Sequence, residues 1–426
     1  MKNATSSVDV INQVVQKGAN LGVGHVITQD QVLNGRNIKI KNETLINFAS
    51  CSYLGLEIDP RLKSAALDAV MRYGTQFSSS RAFISLGLYE ELESLMSELF
   101  GYPTLMAPTT TLGHMSNLPI FIKSKDAVIL DHQVHASVQN TVKMVKENGV
   151  KVEIIRHNRT DYLEERIKKL KANHRKIWYM ADGVYSMFGD GAPVEDLYEL
   201  MNRHPQFHVY FDDAHGMSWT GQHGKGYVLN RIPYHPQMIL ITSLTKSFGT
   251  QGGAMVYFDE KQKALVKNCG STLMFSSPIV PSTLGASIAS AKIHLSNELP
   301  KLQKELRERM RYFVDLAHEL DLPIVGAEYQ TPIYYIGLGT PEITYRLAKR
   351  LMRAGFFASV AVYPSVPYNN TGLRFTINRH LTFEDIKTVL HTLSAELDKA
   401  LERGNLSKEK ILRSFQKHGF FKAVSQ

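Results

Sequence analysis

The sequence predicts an α/β protein with a mostly parallel sheet in a large domain and a smaller α+β domain toward the C-terminal end. Through the first 290 residues, short apolar runs recur, each followed by Gly, Asp or Ser, and helical stretches such as "YEELESLMSELFG" separate several of them. This alternation favours a parallel sheet covered by helices. Ligand-binding residues are then expected just beyond the carboxyl ends of the strands.

Five apolar runs are expected to form buried strands of the large domain, each about five residues long. They are "DAVILD" at 126–131, "KIWYMADG" at 176–183, "HVYFDDAHG" at 208–216, "MILITSLTK" at 238–246 and "GAMVYFD" at 253–259. Ahead of them, an N-terminal arm or helix is expected to precede a strand in "IKIKNETLINFAS".

After residue 290 the pattern changes to that of a smaller α+β domain. Its expected elements are a long charged helix over about 297–320, "TPIYYIGL", a helix near 341–354, "FFASVAVYP", "GLRFTIN" and a helix from "TFEDIKTVL". The predicted organisation is an N-terminal segment (1–45), a large domain (46–290), a small domain (291–400) and a basic helical extension (401–426).

Length and composition describe a globular protein. The chain has 426 residues and a mass of 48.0 kDa, and no apolar run approaches the roughly 18 residues of a membrane helix. Its start lacks the order of a signal peptide, and its two cysteines, Cys51 and Cys269, have no CxxC spacing. A cytoplasmic protein with reduced thiols and no membrane span is expected.

The net charge of +9 has two interpretations. Basic residues interleave with acidic ones along stretches such as "YLEERIKKLKANHRK", so solvated helix faces explain most of the charge and no nucleic-acid partner is expected. The weaker alternative is that some cations steer an anionic, phosphate-bearing substrate. The basic stretch "LSKEKILRSFQKHGFFKAV" is interpreted as an added amphipathic helix.

One lysine follows a predicted strand in a setting suited to covalent catalysis. Lys246 lies in "TSLTKSFGTQGG", whose glycines permit close approach of a ligand and whose hydroxyls can hold an anion. Asp212 ends the preceding predicted strand, and His215 follows three residues later. A lysine for an aldehyde and a carboxylate for a pyridine nitrogen suit pyridoxal phosphate (PLP). Helix capping by Asp212 and Asp213 is the structural alternative.

Three further stretches fall at the same predicted sheet edge or at a helix start. In "LDHQVHAS", His132 and His135 have the spacing of metal ligands, but no further cluster completes a metal site, so a ring stacking on a planar cofactor is favoured for His135. Asp182 and Ser186 follow the strand in "IWYMA". "PTTTLGHMSN" is typical of a phosphate cradle at a helix N-terminus.

Together, these motifs resemble those of the α-oxoamine synthase family of fold-type I PLP-dependent enzymes. The likeness runs over residues 46 to 386 and includes "YGTQFSSSR", "DHQVHAS", "DGVYSMFGDGAP", "DDAHG", "TGQHGKG", "TSLTKSFGTQGG" and "MFSSPIVP". It implies the fold-type I architecture, PLP as cofactor, and a homodimer with the active site at the subunit interface.

The resemblance also implies roles for individual residues. Lys246 would carry the cofactor as a Schiff base and remove the Cα proton of the substrate. His135 would stack on the ring and help in proton transfer. Asp212 would hold the pyridine nitrogen and His215 the phenolic oxygen, with Ser186 nearby.

Phosphate and substrate contacts are implied in the same way. Ser243 and the backbone amides of Gly113 and His114 would hold the phosphate. Ser276 and Ser277 would reach it from the neighbouring subunit.

Arg374, in "GLRF", would clamp the amino-acid carboxylate, a role suited to a planar bidentate donor.

Three departures from the family pattern bear on substrate specificity. Cys51 stands where the family commonly has an asparagine that helps bind this carboxylate, "SSSR" replaces a glycine-rich stretch, and Tyr89 replaces a histidine.

The implied activity is PLP-dependent condensation of an amino acid with an acyl thioester, usually acyl-CoA and usually with decarboxylation, to give an α-aminoketone. The alternative is a PLP-dependent aminotransferase or lyase acting on a small amino acid. A binding subunit without chemistry is a third interpretation; such subunits often lose the Schiff-base lysine, and Lys246 is present.

Overall fold

A computed structural model describes residues 7–404 and 406–417 of the chain. Its helices are α1 (Ser7–Leu21), α2 (Pro60–Tyr73), α3 (Gly87–Phe100), α4 (Thr110–Phe121), α5 (Ala136–Lys146), α6 (Thr160–Leu170), α7 (Val194–Arg203), α8 (Tyr227–Arg231), α9 (Glu260–Cys269), α10 (Ser271–Met274), α11 (Pro281–His294), α12 (Leu299–Glu319), α13 (Pro341–Arg353), α14 (Phe383–Gly404) and α15 (Lys408–Lys417). Its strands are β1 (Asn37–Ile40), β2 (Glu43–Asn47), β3 (Thr104–Ala107), β4 (Ala127–Asp131), β5 (Lys151–Ile155), β6 (Ile177–Asp182), β7 (Phe207–Asp212), β8 (Met238–Ser243), β9 (Gly253–Val256), β10 (Ile324–Val325), β11 (Ile333–Gly339), β12 (Phe356–Phe357), β13 (Ser359–Ala361) and β14 (Thr371–Thr376).

These elements belong to two compact units. Unit 1 contains the described residues up to 53, residues 187–190, and the described residues from 305 onward. Unit 2 contains residues 54–186 and 191–304. The domain boundaries expected at residues 45, 290 and 400 stay predictions. Residues 405 and 418–426 of the expected C-terminal extension lie outside the described residues.

Unit 2 is built on a seven-stranded sheet with the strand order β3-β9-β8-β7-β6-β4-β5. Four neighbouring pairs, from β8/β7 to β4/β5, are parallel, while β9 is antiparallel to both β8 and β3. All residues of β4, β6, β7 and β8 are buried, which explains why their sequences are mostly apolar. The predicted α/β class with a mostly parallel sheet is confirmed.

Phe211 in β7 is fully buried in the core of unit 2. Phe211→Ala is expected to lower the free energy of unfolding by about 3–5 kcal/mol, because it removes apolar contacts and leaves a cavity. Urea denaturation measures this. Phe258→Ala serves as the control, since that ring is 39% exposed, and should cost under about 1 kcal/mol. Equal costs at the two positions would contradict the burial of β7.

Unit 1 contains a four-stranded antiparallel sheet, β10-β11-β14-β13, and a three-stranded sheet, β1-β2-β12. The stretch "IKIKNETLINFAS" forms a β-hairpin of β1 and β2, so the expectation of a single strand there is wrong. Lys41 and Asn42 form the turn with φ of 50° and 66°, in the left-handed region that a tight two-residue hairpin requires.

Helices α12 and α14 are the longest in the described chain, and both are amphipathic. α15 forms within the stretch interpreted as an added amphipathic helix, and its Ile411 and Phe415 are buried. None of the helices in the described ranges is both long and apolar enough to cross a membrane.

Candidate active site

Polar side chains of unit 2 gather at the carboxyl ends of three adjacent strands. Asp182 ends β6, Asp212 ends β7 and Ser243 ends β8. Asp182 and Asp212 are partners in the parallel ladder, so their side chains leave the same face of the sheet. Lys246 follows three residues after Ser243. The candidate active site is therefore the edge at which a parallel sheet places its ligands.

Asp212 is a buried carboxylate held by two donors. Its Oδ2 lies 3.0 Å from His114 Nε2, and its Oδ1 accepts a hydrogen bond from the Ala214 N–H at 3.1 Å. Burial alone would raise the pKa of Asp212, but the hydrogen bond from His114, together with the charge of Lys246, holds that pKa below its ordinary value. Asp212 is thus the ionised acid of the site.

Two neighbouring carboxyls have pKa values that are raised instead of lowered. Burial, followed by repulsion from Asp212, raises the pKa of Asp182 well above its ordinary range. Burial likewise raises the pKa of Asp213, whose Oδ2 accepts the Val228 N–H at 3.1 Å near the start of α8. The structural alternative of capping therefore describes Asp213, while Asp212 faces the site. When neighbouring carboxyls have pKa values shifted in opposite directions, one is suited to act in its charged form and another in its neutral form.

His135 caps the N-terminus of α5, and its backbone position is set by Asp182. The His135 N–H donates to Asp182 Oδ1 at 3.0 Å, and its ring Nδ1 lies 2.6 Å from Ser137 Oγ. The ring retains solvent access. Partial desolvation, with repulsion from Lys246, lowers the pKa of His135 despite the attraction of Asp212. A neutral ring with Nε2 available for proton exchange follows.

Lys246 lies in a tight loop after β8 and is half-buried. Its carbonyl accepts the Gly249 N–H at 3.0 Å. Gly249 has a φ of 83°, and a Cβ there would lie 2.8 Å from backbone atoms of residues 56 and 57, so glycine is needed for this turn. Among the described residues, the Lys246 amine has neither a hydrogen-bond nor a salt-bridge partner. It is available for chemistry.

The first turn of α4 differs in register from the predicted phosphate cradle. Thr109 caps the helix, and its side chain accepts the Leu112 N–H at 3.1 Å. The Gly113 N–H donates to the Thr109 carbonyl at 3.0 Å, and the amide of His114, one position further on, is inside the helix. The amides without an intrahelical partner are those of residues 110 and 111, and the phosphate contact expected at Gly113 and His114 stays a prediction.

The remaining predicted residues of unit 2 lie at the end of a strand or in the loop that follows one. Ser186 is half-buried in the loop after β6, and His215 is buried, with its carbonyl accepting the Trp219 Nε1–H at 2.7 Å. Ser243 is buried, and its Oγ accepts the Thr245 N–H at 3.1 Å.

Ser276 and Ser277 follow α10 and line a cavity of about 370 Å³ with the serines at 78–80. The described chain thus places these two serines beside the "SSSR" stretch, and their predicted reach to a neighbouring subunit stays a prediction.

The predicted substrate residues Arg374 and Cys51 meet in unit 1. Arg374 on β14 is buried, and its Nη2 lies 3.6 Å from Cys51 Sγ. Tyr53 belongs to the same cluster, and burial raises its pKa well above the ordinary value. A cysteine sulfur, a weak acceptor, thus stands beside the guanidinium where the family commonly has an asparagine.

Tyr89, the third departure from the family pattern, has a structural role in unit 2. Its hydroxyl accepts the Ile279 N–H at 2.6 Å, and the Arg81 guanidinium lies 3.9 Å from its ring centroid. Arg81 also forms a salt bridge with Glu93 at 2.8 Å. The tyrosine therefore joins α3 to the segment before α11, with the arginine of "SSSR" stacked on it.

Asp131, at the end of β4, accepts four hydrogen bonds, a role that was not predicted from the sequence. This buried carboxylate accepts from His157 Nδ1 (2.9 Å), the Gln133 N–H (2.7 Å), the Asn158 N–H (2.9 Å) and the Tyr179 hydroxyl (2.9 Å). It fixes the start of the loop that leads to α5. Its position at the end of "DAVILD" was the available signal.

Asp131→Asn is expected to lower the free energy of unfolding by about 1–3 kcal/mol at neutral pH, because an amide has one acceptor oxygen for four donors. Burial raises the pKa of Asp131, but His157 and the backbone donors lower it further, so the folded-state pKa lies below the ordinary value.

Its stabilisation is therefore present above the unfolded-state pKa and is lost as the pH falls through the folded-state pKa. Urea denaturation should show the gap between Asp131→Asn and wild type narrowing below about pH 4. Asp68→Asn, on the exposed surface of α2, is the control, with a cost under about 0.5 kcal/mol. A gap that widens in acid would contradict an ionised Asp131.

His132 and His135 do not form part of a metal cluster. His132 is exposed, and within the ranges 7–404 and 406–417 no three His, Cys, Asp or Glu side chains are grouped so that they could hold a metal ion.

Known proteins are similar to this chain over most of its length. The model of the family described as aminotransferase class I and II matches residues 43–393. The 8-amino-7-oxononanoate synthase of Petrotoga mobilis is 30% identical over 362 residues, covering 84% of this chain and 89% of that protein. The enzyme of the same name from Thermosipho melanesiensis is 29% identical over 361 residues, with the same coverage of both chains.

Solved structures give the same fold. The serine palmitoyltransferase of Sphingomonas wittichii has a TM-score of 0.84 at 22% identity, covering 95% of this chain and all of its own. That of S. paucimobilis, solved with bound PLP and myriocin, has a TM-score of 0.84 at 22% identity and covers 94% of this chain and 99% of its own. Family match, identity and fold agree, and the chain belongs to the aminotransferase class I and II family and, within it, to the α-oxoamine synthases.

Proposed function

We propose that the chain is a PLP-dependent acyltransferase that condenses an amino acid with an acyl thioester, with acyl-CoA as the expected donor and decarboxylation accompanying the step, to give an α-aminoketone. The observation that carries this proposal is that an ionised, buried Asp212 and an available Lys246 lie at the same edge of the unit 2 sheet. The names of the relatives support acyl transfer to an amino acid.

The residues present fit PLP. Asp212 supplies a carboxylate for the ring nitrogen, and Lys246 supplies an amine for the aldehyde. The free amides at the start of α4, with Ser243, supply donors for the phosphate. His215 and Ser186 are assigned to the phenolic oxygen. When bound, PLP supplies an electron sink for negative charge at the substrate Cα.

The protein's own groups then handle protons and orientation. Lys246 takes the Cα proton, since its amine has no ion-pair partner among the described residues. His135, with a lowered pKa, accepts or returns a proton through Nε2. Arg374 is assigned to the carboxylate of the amino acid, because a buried guanidinium favours an anionic ligand. Cys51, beside it, is assigned to substrate choice.

The reaction balances without any oxidant. A bond forms between the amino-acid Cα and the acyl carbonyl carbon, and the carbon–sulfur bond of the thioester breaks. The amino-acid carboxylate leaves as carbon dioxide, one proton is consumed, and the free thiol is released.

A homodimer is part of the proposal. Phe83, Phe275 and Met71 in unit 2 are 88%, 85% and 85% exposed, and large exposed apolar side chains mark interaction surfaces. Pairing of two copies there is expected to bring Ser276 and Ser277 to the phosphate of the partner's site. Sedimentation should give a mass near twice 48.0 kDa. A cytoplasmic location is also proposed, supported by the two free thiols, Cys51 and Cys269.

Release of free thiol tests the function. The protein is incubated with PLP, a panel of acyl-CoAs and each of glycine, alanine, serine and 2-aminobutyrate, and thiol is measured with a chromogenic disulfide. Thiol formation that requires both an amino acid and a thioester supports the proposal. Conversion of PLP to its amine form by an amino acid alone, reversed by an oxo acid and indifferent to every thioester, would establish the aminotransferase alternative instead.

A further inference from the structure

The His114 side chain links Asp212 to the interior of unit 2. Its Nε2 lies 3.0 Å from Asp212 Oδ2, and its Nδ1 lies 2.8 Å from the Tyr210 hydroxyl. His114 and Tyr210 are fully buried, and Asp212 is 4% exposed. The resemblance implies only a backbone contact for His114, and the contact of its side chain with Asp212 is additional to that.

Hydrogen-bonding capacity fixes where the protons lie. An ionised Asp212 only accepts, so His114 Nε2 carries the proton that is shared with it. In a neutral imidazole Nδ1 is then the acceptor, and the Tyr210 hydroxyl is the donor that satisfies it. The chain of donors runs from Tyr210 through His114 to Asp212 and needs no extra charge.

This arrangement restrains both oxygens of the carboxylate. His114 Nε2–H holds Oδ2, and the Ala214 N–H holds Oδ1 at 3.1 Å. Rotation of the Asp212 side chain would break one of these bonds. Each carboxylate oxygen has a second lone pair, so the group can still accept a hydrogen bond from a ligand.

We propose that His114 is a positioning residue for the cofactor: its Nε2–H keeps Asp212 ionised and oriented to hold the protonated ring nitrogen of PLP. The identity of the ligand rests on the proposed function. A packing role alone would make the apoprotein less stable when His114 is replaced, without changing the protonation of the ring nitrogen.

Three variants separate these roles. His114→Leu removes the donor at similar volume, His114→Gln keeps an N–H at comparable reach, and Tyr210→Phe removes only the outer hydroxyl. The affinity for PLP is measured by titration of each apoprotein, alongside its melting temperature. The protonation of the ring nitrogen is read from the ¹⁵N chemical shift of bound, ring-labelled PLP.

His114→Leu is expected to bind PLP about ten- to a hundredfold more weakly, the effect of losing a hydrogen bond to a charged group, and to leave the ring nitrogen unprotonated. His114→Gln should restore both properties, and Tyr210→Phe should have a smaller effect than His114→Leu. Unchanged affinity and a protonated ring nitrogen in folded His114→Leu would overturn the role of His114. A wild-type chain that binds no PLP would overturn the proposed function as well.

If His114→Leu does not fold, ¹⁵N-histidine spectra of the wild-type apoprotein decide. A His114 ring protonated at Nε2 and unprotonated at Nδ1 near neutral pH supports the proposal. The opposite tautomer overturns it, because it cannot donate to Asp212.

Discussion

Lys246→Ala is expected to lower kcat/KM by at least about 10³-fold, because the variant lacks both the amine that carries the cofactor and the base for the Cα proton. Thiol release in the presence of both substrates measures the loss. In wild type, borohydride reduction followed by peptide mass mapping should place the cofactor on the peptide that contains Lys246.

Lys176→Ala is the matched control for this variant. Lys176 is also half-buried, but it precedes β6, at the opposite end of the sheet from the candidate active site. Its replacement should leave activity near that of wild type. Comparable losses of activity in both variants would contradict the role assigned to Lys246. Attachment of the cofactor to another lysine in the reduced wild-type protein would contradict it as well.

Asp212→Asn is expected to lower kcat by about 10²- to 10³-fold, the cost of losing one aligned electrostatic contact at the reacting group. A neutral amide does not hold the ring nitrogen in its protonated form, so the electron sink weakens. Steady-state kinetics at saturating substrates measure the effect.

Asp213→Asn separates this charge effect from a general effect of changing a buried acid. Asp213 accepts the Val228 N–H through Oδ2, and burial raises its pKa; asparagine keeps an acceptor oxygen at this position. A much smaller loss of kcat is expected than for Asp212→Asn. If the adjacent variants lost activity equally, the assignment of Asp212 to the ring nitrogen would be wrong.

The strands that carry the site were predictable because they are buried on both faces. β6, β7 and β8 consist of buried residues throughout, so their sequences are mostly apolar runs that end in Asp or Ser. The same logic placed Asp212 and Ser243 at one edge. The hairpin of β1 and β2 was not predicted, since its turn at Lys41 and Asn42 lacks the glycine that usually signals one.

Contacts between residues far apart in the chain could not be predicted from the sequence. His114 reaches Asp212 across 98 positions, and Asp131 reaches Tyr179 across 48. Neither pairing has a local pattern, because both depend on the order of strands in the sheet. The start of α4 was ambiguous for a different reason: Thr109 is followed by two more threonines, and any of the three is a good helix cap.

The mass of the product is the most direct test of the central claim, that this chain joins an amino-acid Cα to an acyl carbon. The holoenzyme is incubated with an acyl-CoA and an amino acid labelled with ¹³C at the carboxylate and ¹⁵N at the amine. The predicted result is an aminoketone that retains ¹⁵N and the whole acyl chain, lacks the ¹³C label, and forms in equal amount to free CoA. An oxo acid that retains ¹³C, formed without CoA release, would contradict the claim.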